Sequence, residues 1–256
     1  SKMFEGSTIT KANAANFSFG VPLTTEKDES IVITLLSDIT DGQLKSFDIY
    51  VQTGSSTFKI ENAIITNSNF SFSAKKQFFV EISGQGTKLT RAGNESYTIP
   101  GNAQSESATR TPLTIYPVVT IDSLNMSSIV KAQVSITTEI SWTKYDNLHQ
   151  SLSVTNSSNA MFPSTYTIGK RIASGAITQY QTDNNITQFD DFNTSSNLTL
   201  KAVETGKASN DSGFFQLQLN PISYTARMAV ADVYTQNYDF TSTDNTAIST
   251  RITQYS

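Results

Sequence analysis

The side chains that most often carry catalysis are thin in this sequence. It has one histidine, His149, in the stretch KYDNLHQSL, and no cysteine. A Ser-His-Asp triad or an imidazole metal centre would have to use that ring. No Gly-x-Ser-x-Gly elbow accompanies it, and no second imidazole or thiolate completes a metal shell, so His149 reads as a surface residue. Two carboxylate pairs remain, Asp38 with Asp41 in SDITDGQ and the adjacent Asp190 and Asp191. A glycosidase needs carboxyls about 5 to 10 Å apart across a sugar bond. Adjacent side chains point away from each other, and Asp-rich turns serve local capping. Calcium-loop spacing is absent at Asp38 and Asp41. Gly84-Gln85-Gly86 lacks the third glycine and following helix of a dinucleotide fingerprint, and reads as a bulge or turn. Lys170-Arg171 could touch a phosphate, but in mid-hairpin such a pair reads as protection of a strand edge. The residues point away from an enzyme, with no catalytic, cofactor-binding or metal site expected.

The elements that would position these residues are strands. From 130 to 142, Val130, Ala132, Val134, Ile136, Ile140 and Trp142 share one parity, with polar residues between them. That is period-2 alternation, and it lacks the three-and-four recurrence of a helix. Phe70 and Phe72 alternate in one run; Phe78, Val80 and Ile82 alternate in the next. Lys75 and Lys76 make the charged turn between, so 62–83 predicts a hairpin. Further strands are expected at 165–181, 197–203, 214–220 and 224–240, with shorter ones at 30–36, 47–53 and 113–120. Helical signals are confined to 186–193, with Asn184 or Asn185 as cap, and a turn at 146–152. The expected fold class is all-β: an antiparallel β-sandwich or barrel with long hairpins and at most one or two short helices.

A polar stretch at 93–111, carrying Pro100-Gly101, separates two strand-rich regions. It reads either as a long surface loop or as a linker between an N-terminal β domain, 1–115, and a C-terminal one, 116–256. With 256 residues, either arrangement buries a sizeable core. Only 16% of residues are charged, and the formal net charge is −4. Without a basic run, the chain lacks the electrostatic footprint of a DNA-gripping protein. No apolar stretch reaches the length of a signal peptide or a membrane span, so no membrane partner is expected.

Two patches together resemble the tail tube proteins of long-tailed bacteriophages. One is FKIENAIITNSNFSFSAKKQFFVEISGQGTKL, residues 58–89, with its strand, turn, strand and Ser-Gly-x-Gly tail. The other joins 130–142 to FPSTYTIGKRIASGAITQY, residues 162–180. The late segment ARMAVADVYTQNYDF, 226–240, is similar to that family's closing strand. Ala74-Lys75-Lys76 departs from the family's acidic-glycine turn.

The resemblance implies β-sandwich or barrel subunits whose long hairpins join between neighbours in rings that stack into a tube. It implies self-association as hexamers, or as trimers if both halves are tube-type domains. DNA would pass through the lumen without sequence-specific binding. Sheath, tape-measure and baseplate or tail-tip proteins would be partners. The expected location is the virion tail, assembled in the host cytoplasm. The inter-subunit hairpin residues it suggests are Phe70, Phe72, Lys75, Lys76, Phe78, Val80, Val134, Ile136, Ile140, Trp142, Lys170 and Arg171. The main rival reading is a β-sandwich adhesin or carbohydrate-binding module, which would display clustered exposed aromatics.

Overall fold

The computed structural model describes residues 13–25, 39–40, 43–53, 56–91, 111–122, 124–142, 162–163, 165–185, 192–208, 215–230, 233–242 and 252–254. Among them there is no helix. The expected strand at 30–36 and helical turn at 146–152 lie outside the described residues, as do most of 93–111 and of 186–193. Phe192 and Asn193, placed at the end of the expected helix, instead open a strand.

The described residues form fifteen strands: β1 (Ala15–Pro22), β2 (Ile39–Thr40), β3 (Gln43–Leu44), β4 (Phe47–Thr53), β5 (Ser56–Ser73), β6 (Lys76–Gln77), β7 (Phe79–Gly86), β8 (Lys88–Arg91), β9 (Thr114–Ile121), β10 (Ile129–Trp142), β11 (Tyr166–Tyr180), β12 (Phe192–Glu204), β13 (Phe215–Val230), β14 (Tyr234–Ser242) and β15 (Ile252–Gln254). Thirteen belong to one sheet, running β1-β7-β5-β10-β11-β14-β13-β12-β9-β6, with β4 and β8 on β5 and β15 on β13. Every pair is antiparallel. Because β6 runs on into β7, its pairing with β9 brings the sheet back on itself, and the sheet closes as a barrel.

Alternation in the sequence becomes inside and outside. On β10, Ala132, Val134 and Ile136 are buried, while Lys131, Gln133 and Thr137 face solvent. The partners in register follow suit: Val134 stands opposite Phe70, and Phe70 opposite Val80. At the centre Phe70, Phe72, Phe78 and Phe215 stack on one another, with ring centroids 4.9 to 6.5 Å apart. Truncating one such ring to alanine costs about 3–5 kcal/mol.

Three local features differ from the sequence reading. The segment 214–220 continues into the next as β13, and the expected strand at 224–240 is shared between β13, which ends at Val230, and β14, which starts at Tyr234. Pro221 falls where the β12–β13 register shifts, so its missing N–H is tolerated there. Val230 pairs with Tyr234, which makes β13 and β14 a hairpin. Gly84 lies within β7 rather than in a turn, and the irregularity sits in the partner strand, between Ile65 and Asn67.

Gly175 shows why some strand positions admit only glycine. A Cβ there would overlap the Gln133 carbonyl oxygen and the Phe240 ring. Gly175→Ala is expected to lower stability by about 3 kcal/mol, read as a shifted urea midpoint. Ser174→Ala beside it should stay within about 0.5 kcal/mol. Equal effects at the two positions would contradict this packing.

Candidate functional site

Two extensions of the sheet run past the barrel, and together they form the candidate assembly site. The first is built on β5, whose eighteen residues exceed what the barrel uses. Residues Ile64 to Ser71 pair with β7, and Asn67 to Ser73 with β10. The first half, from Ser56, instead carries β4 on one flank and β8 on the other. This three-stranded arm is amphipathic because of its register. Ile49, Ile60 and Leu89 stand in one row, and Val51, Phe58 and Arg91 in the next. Arg91 lies over the Phe58 ring, 5.9 Å from its centroid.

The other face of this arm is polar. Lys59 Nζ lies 3.0 Å from Asp48 Oδ2 and 3.8 Å from Glu61 Oε1, and it sits 5.6 Å from the centre of the Tyr50 ring. The Asn62 backbone N–H donates to Asp48 Oδ1 at 3.0 Å. Burial pushes the Asp48 carboxyl up, but the Lys59 ammonium and the Asn62 amide outweigh it and hold the carboxyl below its ordinary value of 3.8. The same hydrogen bond raises Lys59 above 10.5 against its partial desolvation.

The second arm is the outer part of the β10–β11 hairpin. Pairing of β10 with β5 covers Lys131 to Thr137, and pairing of β11 with β14 covers Ala173 to Tyr180. Beyond them the hairpin continues to the Trp142–Tyr166 pair. Positions 138–142 on one flank and 166–170 on the other have no strand partner among the described residues. Arg171 shares the parity of Ala173 and Ile177 and faces inward with them, and the bulge between Thr138 and Ile140 lies beyond it. Arg171 is buried and donates from Nε to Thr138 Oγ1 at 3.1 Å. It therefore does not guard an exposed edge, although its neighbour Lys170 is exposed.

The second arm is braced against β7 and β3. Trp142 Nε1–H donates to Gln85 Oε1 at 2.7 Å, and its ring meets Tyr166 edge-on at 5.3 Å. Tyr166 in turn spans β3: its hydroxyl accepts from the Leu44 N–H at 2.9 Å and donates to the Leu44 carbonyl at 3.2 Å. Burial raises the Tyr166 phenol, against the Leu44 amide bond. Lys88 lies over Phe162, 5.4 Å from its centroid.

The twelve hairpin residues named from the sequence separate by location. Phe70, Phe72, Phe78, Val80, Val134 and Ile136 are core side chains, on strands paired at both flanks over much of their length. Lys75 and Lys76 are exposed, Lys75 with φ of 60° in the turn after β5. Ile140, Trp142, Lys170 and Arg171 lie in the second arm. The Asp48–Lys59 pair escaped sequence reading, because its partners meet only through the β4–β5 register.

Between the arms and the barrel's far rim, the outer face of β7, β5, β10 and β11 forms a shallow groove of about 550 Å³. Asn69, Ser71, Gln133, Ser135 and Ser174 line it, with Glu81 as its one charged side chain. His149, Asp38, Asp41, Asp190 and Asp191 lie outside the described residues. Among the described residues, no three His, Cys, Asp or Glu side chains converge as metal ligands.

A family model described as "Bacteriophage Baseplate Tube Protein Family" matches residues 2–253 of the chain. No curated protein matches it.

The Asp48–Lys59 pair gives the first arm a pH dependence with a definite sign. Because the folded Asp48 carboxyl is held down, its contribution is complete above pH 3.8 and is lost as pH falls through the lower folded value. Lys59 adds the mirror case: its part is present below 10.5 and lost as pH rises through its raised value. Asp48→Asn keeps an acceptor for Asn62 but removes the charge. Thermal melts should show this variant below wild type at pH 7, with the gap closing at acidic pH. A gap that is constant down to pH 3 would contradict the ion pair.

Proposed function

The chain belongs to the bacteriophage baseplate tube protein family, and we propose that within the virion tail it is a wall subunit of the tube itself. Copies associate side by side into a ring, rings stack head to tail, and the genome passes through the channel. The observation that carries this reading is the pair of flanks at 138–142 and 166–170 that have no strand partner among the described residues, on strands paired at both sides over 131–137 and 173–179. Open backbone donors and acceptors recruit a further strand, and a second copy supplies one.

The surface chemistry supports passage of DNA rather than its capture. A wall of serine, asparagine and glutamine with few charges, as in the outer groove, offers phosphates neither a cationic grip nor a strong field. The number of copies per ring depends on the division of the chain. Two tube-type units, 1–115 and 116–256, give three copies in a pseudo-hexameric ring; one unit gives six. Neighbouring tail proteins (sheath, tape measure, other baseplate or tail-tip components) meet the outer wall and the ends.

Electron microscopy of the purified full chain over a range of concentrations tests this. Hollow filaments with six-fold or pseudo-six-fold cross-sections are expected. A chain that remains monomeric at every concentration would overturn the tube reading.

A further inference from the structure

The β13–β14 hairpin carries the densest exposed apolar surface. Of the ten large apolar residues that are exposed among the described residues, four gather here: Met228, Val230, Val233 and Tyr234, at 45% to 68% exposure. Their parity explains the exposure. On β13 the inward residues Ile222, Tyr224 and Ala226 are buried, and the same side continues to Met228 and Val230. On β14 the inward residues Phe240, Tyr238 and Gln236 are buried, and the same side continues to Tyr234. The hairpin thus runs past the barrel rim with its core-facing side uncovered, unlike apolar residues scattered singly over a surface.

The first arm has a matching need. Its apolar face, with Ile49 and Phe58 half-buried, leaves Val51 45% and Leu89 55% exposed. Tip and arm lie at opposite strand ends. Following the register, Thr235 stands opposite Tyr180, Gln179 opposite Ile129, and Lys131 opposite Ser73, so the tip is level with the last residue of β5. The arm begins at the first residue of β5. At about 3.3 Å per residue, that strand separates the two by roughly 55 Å. Within one copy they do not meet.

We propose that the β13–β14 tip of one copy seats on the apolar face of the β4–β5–β8 arm of the next. The occupant is a second copy because each copy carries both halves of the contact, at opposite ends. One union leaves a free arm at one end and a free tip at the other, so the contact repeats without closing. That geometry makes an open head-to-tail stack. The inference rests on the tube reading and deepens it, assigning the axial joint to these elements and leaving the flanks of the second arm to contacts within a ring.

The absence of cysteine makes a direct test available. The double variant Val230→Cys, Leu89→Cys, assembled and then mildly oxidised, should give a ladder of several covalently joined copies on a non-reducing gel. Each single variant should stop at dimers. Separately, Val230→Asp should shorten filaments at least tenfold while leaving rings intact. The cysteine variants are conservative at exposed positions and report even if the aspartate variant fails to fold. If wild-type tubes form but the ladder is absent, or a folded Val230→Asp variant reaches wild-type length, the joint is elsewhere and the tube reading survives. If wild type forms no tube, both readings fall together.

Discussion

Three backbone hydrogen bonds close this barrel, and the remaining architecture depends on them. The Leu23 N–H donates to the Phe78 carbonyl at 2.9 Å, the Phe78 N–H to Leu113 at 3.0 Å, and the Leu113 N–H back to Leu23 at 3.0 Å. The three residues are almost wholly buried, so each bond forms away from competing water. Lys75 adds a further bond to the Ile115 carbonyl at 3.0 Å. A long antiparallel sheet left open would offer two edges to any passing strand. Closure at this corner removes most of that exposure and confines what is left to chosen places.

The arms are the consequence. Strands β5, β10 and β11 are longer than the barrel they help to close, so their surplus has to go somewhere. In the first arm the surplus recruits β4 and β8 and becomes a small sheet with one polar and one apolar face. In the second it stays a two-stranded ribbon. An isolated two-stranded ribbon is marginal in water. Trp142 on Gln85, and Tyr166 on both hydrogen-bonding groups of Leu44, brace it against its neighbour. The ribbon is thereby held out with no further strand on its flanks among the described residues, in a shape fit for pairing in trans.

The sequence made the sheet legible where one face is buried. The alternation of 130–142 translates into β10 because a one-residue slip would turn every apolar side chain outward. The scarcity of histidine, cysteine and spaced carboxylates pointed away from an enzyme, and the resemblance carried by 58–89, 130–142 and 162–180 pointed to a phage tail protein, in line with the family match. What local pattern could not disclose arises from long-range register. Arg171 reads as an edge charge, yet it shares the inward parity of Ala173 and Ile177, and its partner Thr138 is set by the β10–β11 register. Pro221 reads as a strand end until the shifted β12–β13 ladder accommodates it. Met228, Val230 and Tyr234 share the parity of the buried residues on their strands, and only the height of the barrel rim leaves them outside.

The central claim is that a closed barrel reserves the flanks of its second arm for a neighbouring copy. Hydrogen exchange, compared between dispersed and assembled protein, tests it most directly. The flank-facing amides at 138–142 and 166–170 should exchange quickly in the dispersed chain and become strongly protected on assembly. Those at 131–137 and 173–180, already paired within the barrel, should be slow in both. Protection that appears elsewhere, with the arm's flanks still exchanging freely in the assembled state, would contradict the account.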